Sequence, residues 1–141
     1  MIMDANAEGP TAWNIGLWVA QILLVLIYLA AGAMKLFQPV DALVASGLSF
    51  AADTPLGFIR FVALMEVLGA VGLILPAATR ILPWLTSLAA AGLSVVQVSA
   101  IVLHAMRGET AMSLPMNLVL LALSLLILWG RVSRAPIVTR P

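Results

Sequence analysis

Charged side chains interrupt this chain so seldom that four long apolar stretches stand out. There are 26 uncharged residues between Glu8 and Lys35, 23 between Arg80 and His104, and 21 between Glu109 and Arg131. The 19 residues between Arg60 and Arg80 are apolar except for Glu66. A helix rises about 1.5 Å per residue, so each stretch can cross about 30 Å of hydrocarbon. Membrane β-strands would be shorter and would alternate apolar with polar positions, which these stretches do not. The pattern predicts an all-α integral membrane four-helix bundle forming a single transmembrane domain over residues 1–141. The spans are placed at 13–36, 57–76, 82–105 and 113–131, with tails at 1–12 and 132–141.

Proline marks the divisions. Pro39 follows the first span, Pro55 precedes the second, Pro76 closes it, and Pro83 and Pro115 fall in the first turns of the third and fourth. In the longest connection, Val40, Leu43, Val44 and Leu48 recur at helical spacing after Pro39, with Asp41 near the helix N-terminus and Gly47 as a stop. A short interfacial helix between helices one and two is expected there, either capping the bundle or bridging two spans. Small residues at helix-contact spacing, Ser87 with Ala91 and Ala90 with Ser94, predict tight packing of the third span, within the chain or against a partner, and Gly69 and Gly72 also fall within a span.

Composition narrows the function. With 63% hydrophobic and 9% charged residues, the chain lies outside the range of soluble domains. Its seven Lys and Arg are scattered singly, so no nucleic acid partner is expected. The absence of cysteine removes disulfides, thiolate metal sites and iron–sulfur clusters. One histidine cannot ligate a haem from both sides, and Glu66 with His104 on different helices makes a poor metal shell, so neither a metal nor a covalently held cofactor is expected. The first dozen residues carry Asp4 and Glu8 without Lys or Arg, unlike a cleaved signal peptide, so the first apolar segment should be retained. Four spans put both termini on one side. Arg80, Arg131, Arg134 and Arg140 would lie there, against Lys35, Arg60 and Arg107 opposite, a bias that favours cytoplasmic termini.

The candidate chemistry sits toward the opposite face, where helices one and three end and helices two and four begin. Lys35, Arg60, His104, Arg107, Glu109 and Asn117 gather there. Tyr28, Glu66 and Gln97 each lie six or seven residues deeper, about 10 Å at 1.5 Å per residue, and should share one level. Seven-residue steps align Gln21, Tyr28 and Lys35 on one face of helix one, and Gln97 with His104 on helix three. A carboxylate facing lipid costs a few kcal/mol or about that, so Glu66 should point inward and centre any site. Glu66 is the candidate catalytic group, and Tyr28, Lys35, Arg60, Gln97, His104 and Asn117 are candidate ligand-binding residues. The competing structural reading gives Glu66 a hydrogen bond to Gln97 or backbone. It has the lysine and arginines snorkel to headgroups, His104 anchor a helix end, and Tyr28, Gln97 and Asn117 hold helices together.

Several segments together resemble the DoxX-like family of small four-helix membrane proteins. They are AAGAMKLF with Lys35, RFVALMEVLGAVGLILP with Arg60, Glu66, Gly69, Gly72 and Pro76, HAMRGE with His104, and Asn117 before a leucine-rich last helix that ends in Gly130 and Arg131. The likeness runs over nearly all of the chain after residue 12. The family takes its name from a small membrane subunit of a thiosulfate:quinone oxidoreductase, so the resemblance implies a quinone-associated subunit in a bacterial plasma membrane, with electrons supplied by a partner subunit. A non-enzymatic accessory subunit of a larger membrane complex, or of a homo-oligomer, is the alternative. A carrier ranks last, because four helices enclose little space.

Overall fold

The computed structural model describes residues 11–141, and the stretch with Asp4 and Glu8, from which retention of the first apolar segment is expected, lies outside them. Among the described residues five α-helices follow in order: α1 (Thr11–Phe37), α2 (Val40–Ala45), α3 (Leu56–Thr79), α4 (Trp84–Met106) and α5 (Thr110–Ser133). A 3-10 turn, Ser49–Ala52, lies between α2 and α3. The four long helices are each apolar and long enough to span a membrane. They pack in an up-and-down ring, α1 against α3, α3 against α4, α4 against α5, and α5 back against α1. Leu24, Tyr28, Ala70, Leu73, Ala90, Leu93 and Ile127 fill the centre, while leucine, valine and isoleucine on the outer faces stay exposed for lipid. The chain is a multi-pass membrane protein of all-α architecture.

Two helices run past the proline boundaries. α3 continues one turn beyond Pro76, because the missing N–H and the crowding by the ring both fall on the preceding turn, and the Pro76 carbonyl still accepts from Arg80 N–H at 2.9 Å. The helix stops instead at Arg80, which is left-handed at φ 58°. α5 begins at Thr110, so Pro115 stands in its second turn rather than its first.

Small residues set the helix spacing. A Cβ added at Gly72 would lie 2.8 Å from the Ala89 Cβ, and one at Gly32 would lie 2.7 Å from Val67 Cγ2 and 3.2 Å from the Ala63 carbonyl. At these two crossings backbone meets backbone or a rigid methyl, and no side chain can rotate away. Gly72→Ala is therefore expected to push α3 from α4, at a cost of about 1–3 kcal/mol, read as a lowered melting temperature in detergent. Gly57→Ala, where nothing stands within 4 Å, is the matched control.

The short helix does more than bridge. Leu43, Ala51 and Ile59 are fully buried in a second small core with Met34, Val40, Leu48 and Phe50. Leu48 N–H bonds back to Leu43 C=O after Gly47 turns the chain at φ 104°. The α2 segment thus folds over the ends of α1 and α3 as a cap on the face where the candidate residues gather.

Candidate functional site

Glu66 is buried in the bundle and turned away from lipid. Its partner is Lys35, whose Nζ donates to both carboxylate oxygens at 2.7 and 2.9 Å. The two side chains are only 12% and 6% exposed, so the charges neutralise each other out of water. Gly32 makes this reach feasible by letting α1 approach α3 one turn below Lys35. Arg60 donates through a guanidinium nitrogen to the Lys35 backbone carbonyl, satisfying an orphan acceptor at the end of α1. Lys35, Arg60 and Glu66 therefore form one unit.

The other candidates divide among different partners. Gln97 donates to Asn117, reaching both its backbone carbonyl at 3.2 Å and its side-chain oxygen at 3.1 Å, and so ties α4 to α5. The Asn117 amide nitrogen is buried without a partner. Tyr28 is buried to 1% exposure, beside Ser124 and within Coulombic reach of Glu66, and its hydroxyl has no partner at hydrogen-bond distance. His104 does not join Glu66; its Nδ1 lies 3.2 Å from Glu109.

Glu109 organises a second cluster that sequence reasoning placed on this face without assembling. Its carboxylate accepts from Ser49 at 2.7 Å and from Arg107 Nε at 3.1 Å, and Arg107 reaches on to Asp53 at 2.9 Å. Phe50 meets the His104 ring edge-on at 6.1 Å. This cluster clasps the cap to the α4–α5 turn. The Ser49 hydroxyl, aided by His104 and Arg107, holds the Glu109 carboxyl below the usual carboxylate range. A carboxyl depressed by folding stabilises the fold above its ordinary pKa, and that stability is lost as pH falls through the folded value. Acidification below the ordinary carboxylate range is thus expected to loosen residues 46–54 before the spans. Amide exchange across that segment would show it, and Ser49→Ala should bring the loosening on at higher pH.

The opposite end of the bundle holds the residue that sequence reasoning missed. On sequence alone Arg131 has a charge near a helix end and a place in the family resemblance but no site role, yet it is 4% exposed. Its Nε donates to Gln21 Oε1 at 2.7 Å, and one terminal nitrogen donates to Asn14 at 2.7 Å and to the Ala135 carbonyl at 3.1 Å. Gln21 in turn donates to the Leu73 carbonyl at 2.6 Å. The signal was in the chain: Asn14, Gln21, Tyr28 and Lys35 fall at seven-residue steps, a polar stripe along the whole of α1.

The two ends thus differ in kind. One pairs its buried cation with a carboxylate able to exchange protons, whereas the other surrounds its buried cation with neutral acceptors. No curated protein and no solved structure matches the chain. The model of the DoxX-like family matches it over residues 19–127, a stretch that takes in Tyr28, Lys35, Arg60, Glu66, Gln97, His104 and Asn117. The chain belongs to the DoxX-like family.

Proposed function

We propose that this protein is a quinone-associated small subunit of a membrane oxidoreductase system, and the observation that carries the reading is the Lys35–Glu66 pair inside the membrane-spanning bundle. Interior ionisable groups in a bilayer are expensive to keep and mark ligand or proton pathways. Donors on this side of the bundle suit a ligand with two carbonyl oxygens. The Asn117 amide and the Tyr28 hydroxyl are buried donors with no acceptor, and Lys35 keeps a third N–H beyond the two given to Glu66. A bound quinone would supply two-electron, two-proton redox chemistry, with electrons from a partner subunit. Glu66 is the group on this chain suited to hold and release a proton at that depth, and Lys35 holds its carboxylate in place. Arg60 positions Lys35 through its backbone carbonyl.

Orientation belongs to the same proposal. Lys35 and Arg107 are matched by Glu66, Glu109 and Asp53, whereas Arg80, Arg131, Arg134 and Arg140 meet no carboxylate among the described residues. Arg80, Arg131, Arg134 and Arg140 at one end outnumber Lys35, Arg60 and Arg107 at the other, and this bias supports cytoplasmic termini in a bacterial plasma membrane.

The test is Glu66→Gln, which keeps the shape and removes the exchangeable charge. A short-chain quinone is expected to raise the melting temperature of the wild-type protein in detergent, and Asn117→Ala should abolish that rise. Quinone-dependent turnover of membranes carrying Glu66→Gln is expected to be lost with the bundle still folded; unchanged turnover overturns the proposal. The accessory-subunit reading draws on a different observation, that both Glu66 oxygens are already satisfied under a packed cap. It expects no response to quinone and recovery of the chain only as a stoichiometric component of a larger complex.

A further inference from the structure

The end of the bundle that carries Arg131 has a feature the quinone reading does not use. Between the start of α4, the end of α5 and the returning C-terminal segment lies a cavity of about 320 Å³, walled by Pro83, Trp84, Ser87, Arg131, Pro136 and Thr139. The segment is held in place by Arg140 N–H, which donates to the Arg80 carbonyl at 2.9 Å, and so forms one wall. We propose that this cavity holds the phosphate of an anionic phospholipid headgroup, with Arg131 as its principal cation.

Four observations lead there. Arg131 is buried with one terminal nitrogen unpartnered, and its other partners, Gln21, Asn14 and the Ala135 carbonyl, are all neutral. A buried cation with no counter-charge is unfavourable, and no Asp or Glu among the described residues lies at this end, so an anion from the membrane would complete it. The amino end of α4, a 23-residue helix, forms the facing wall and directs its partial positive charge at the same space. Depth then selects a lipid over a soluble anion. All four tryptophans, Trp13, Trp18, Trp84 and Trp129, lie within two turns of this end of their helices, where such rings mark the headgroup level of a membrane. Finally, Trp84 and Val132 line the cavity and are themselves exposed, so they continue it into the lipid-facing surface and give acyl chains a path away from the phosphate.

Arg134 is excluded as the main cation, since it is spent on aromatic rings, 5.8 Å from Trp13 and 5.1 Å from Trp129. Arg131 also stacks over Trp18 at 5.6 Å, which fixes its plane but supplies no full charge. Three of its five N–H groups are given to Gln21, Asn14 and Ala135, which leaves the two on the unpartnered nitrogen for a phosphate oxygen.

The experiment uses the full chain in mild detergent, with phosphatidylglycerol, phosphatidylcholine or inorganic phosphate as the probe. Melting temperature and native mass spectrometry are the readouts. Phosphatidylglycerol is expected to raise the melting temperature at least several degrees more than phosphatidylcholine and to remain bound in the spectrometer. Ser87→Phe fills the cavity without touching any bond to Arg131, and Thr139→Trp fills it from the tail side should the first variant fail to fold. Either folded variant is expected to bind phosphatidylglycerol at least fivefold more weakly. Equal responses to the two lipids overturn the proposal. So does a full response to inorganic phosphate alone, which would make the ligand a free anion, or undiminished lipid binding by a cavity-filled variant. None of these readouts involves quinone, Lys35 or Glu66.

Discussion

Glu66→Leu alone is expected to destabilise the bundle by about 3 kcal/mol or more, and Lys35→Met with Glu66→Leu together to restore most of that loss. The single change leaves the Lys35 ammonium 12% exposed with no carboxylate, and breaking one half of a buried pair typically costs about 3–5 kcal/mol. Lys35 stands two residues before the last residue of α1, so its long side chain can recover part of the penalty by snorkelling to the headgroups, which places the effect at the lower end. The double change removes both charges and fills the space with carbon, and such replacements are often neutral or stabilising. Thermal unfolding of the two single variants and the double variant in one detergent would give the coupling. Additive effects of the two single changes would mean that the pair contributes nothing as a pair. If the proposed function holds, the double variant is stable and yet gains nothing from added quinone, a separation that a purely structural pair would not show.

The inward direction of Glu66 was legible because the argument was energetic and needed no partner: a carboxylate in hydrocarbon turns to the interior. Its partner was not. Levels assigned from backbone rise put Lys35 about 10 Å above Glu66. They ignored the length of the lysine side chain and the close approach of α1 to α3 at Gly32. His104 shows the opposite error of scale, since it was aligned with Gln97 by a seven-residue step but is captured by Glu109 five residues on, across a tight turn with Gly108 at φ 72°. The four spans were readable because length and the absence of charge decide them. Their ends were less so, because Pro76 removes a single hydrogen bond where the helix packs well enough to continue.

The hub at Gln21 was the least accessible feature, because it joins three helices through partners 52 and 110 residues away. Its replacement should show how much such a junction contributes. Gln21→Leu conserves volume and removes two bonds of unequal worth. The bond to the Leu73 carbonyl is neutral, and interhelical bonds of that kind in membranes average about 0.6 kcal/mol. The bond from Arg131 Nε is charge-assisted, and its loss leaves a buried guanidinium nitrogen unsatisfied, which costs about 1–3 kcal/mol. A total near 2–3 kcal/mol is expected, most of it from the arginine, measured as a lowered melting temperature. Gln21→Glu separates the two contributions, since it loses the donor to Leu73 but gives Arg131 the carboxylate it lacks. It should therefore be clearly more stable than Gln21→Leu, and a result in which both variants fall equally would show that Arg131 is indifferent to the partner at position 21. With its charge met from within, the Gln21→Glu protein should also respond less to phosphatidylglycerol than the wild type does. The reason is that the same guanidinium would no longer depend on an anion from the membrane for its neutralisation.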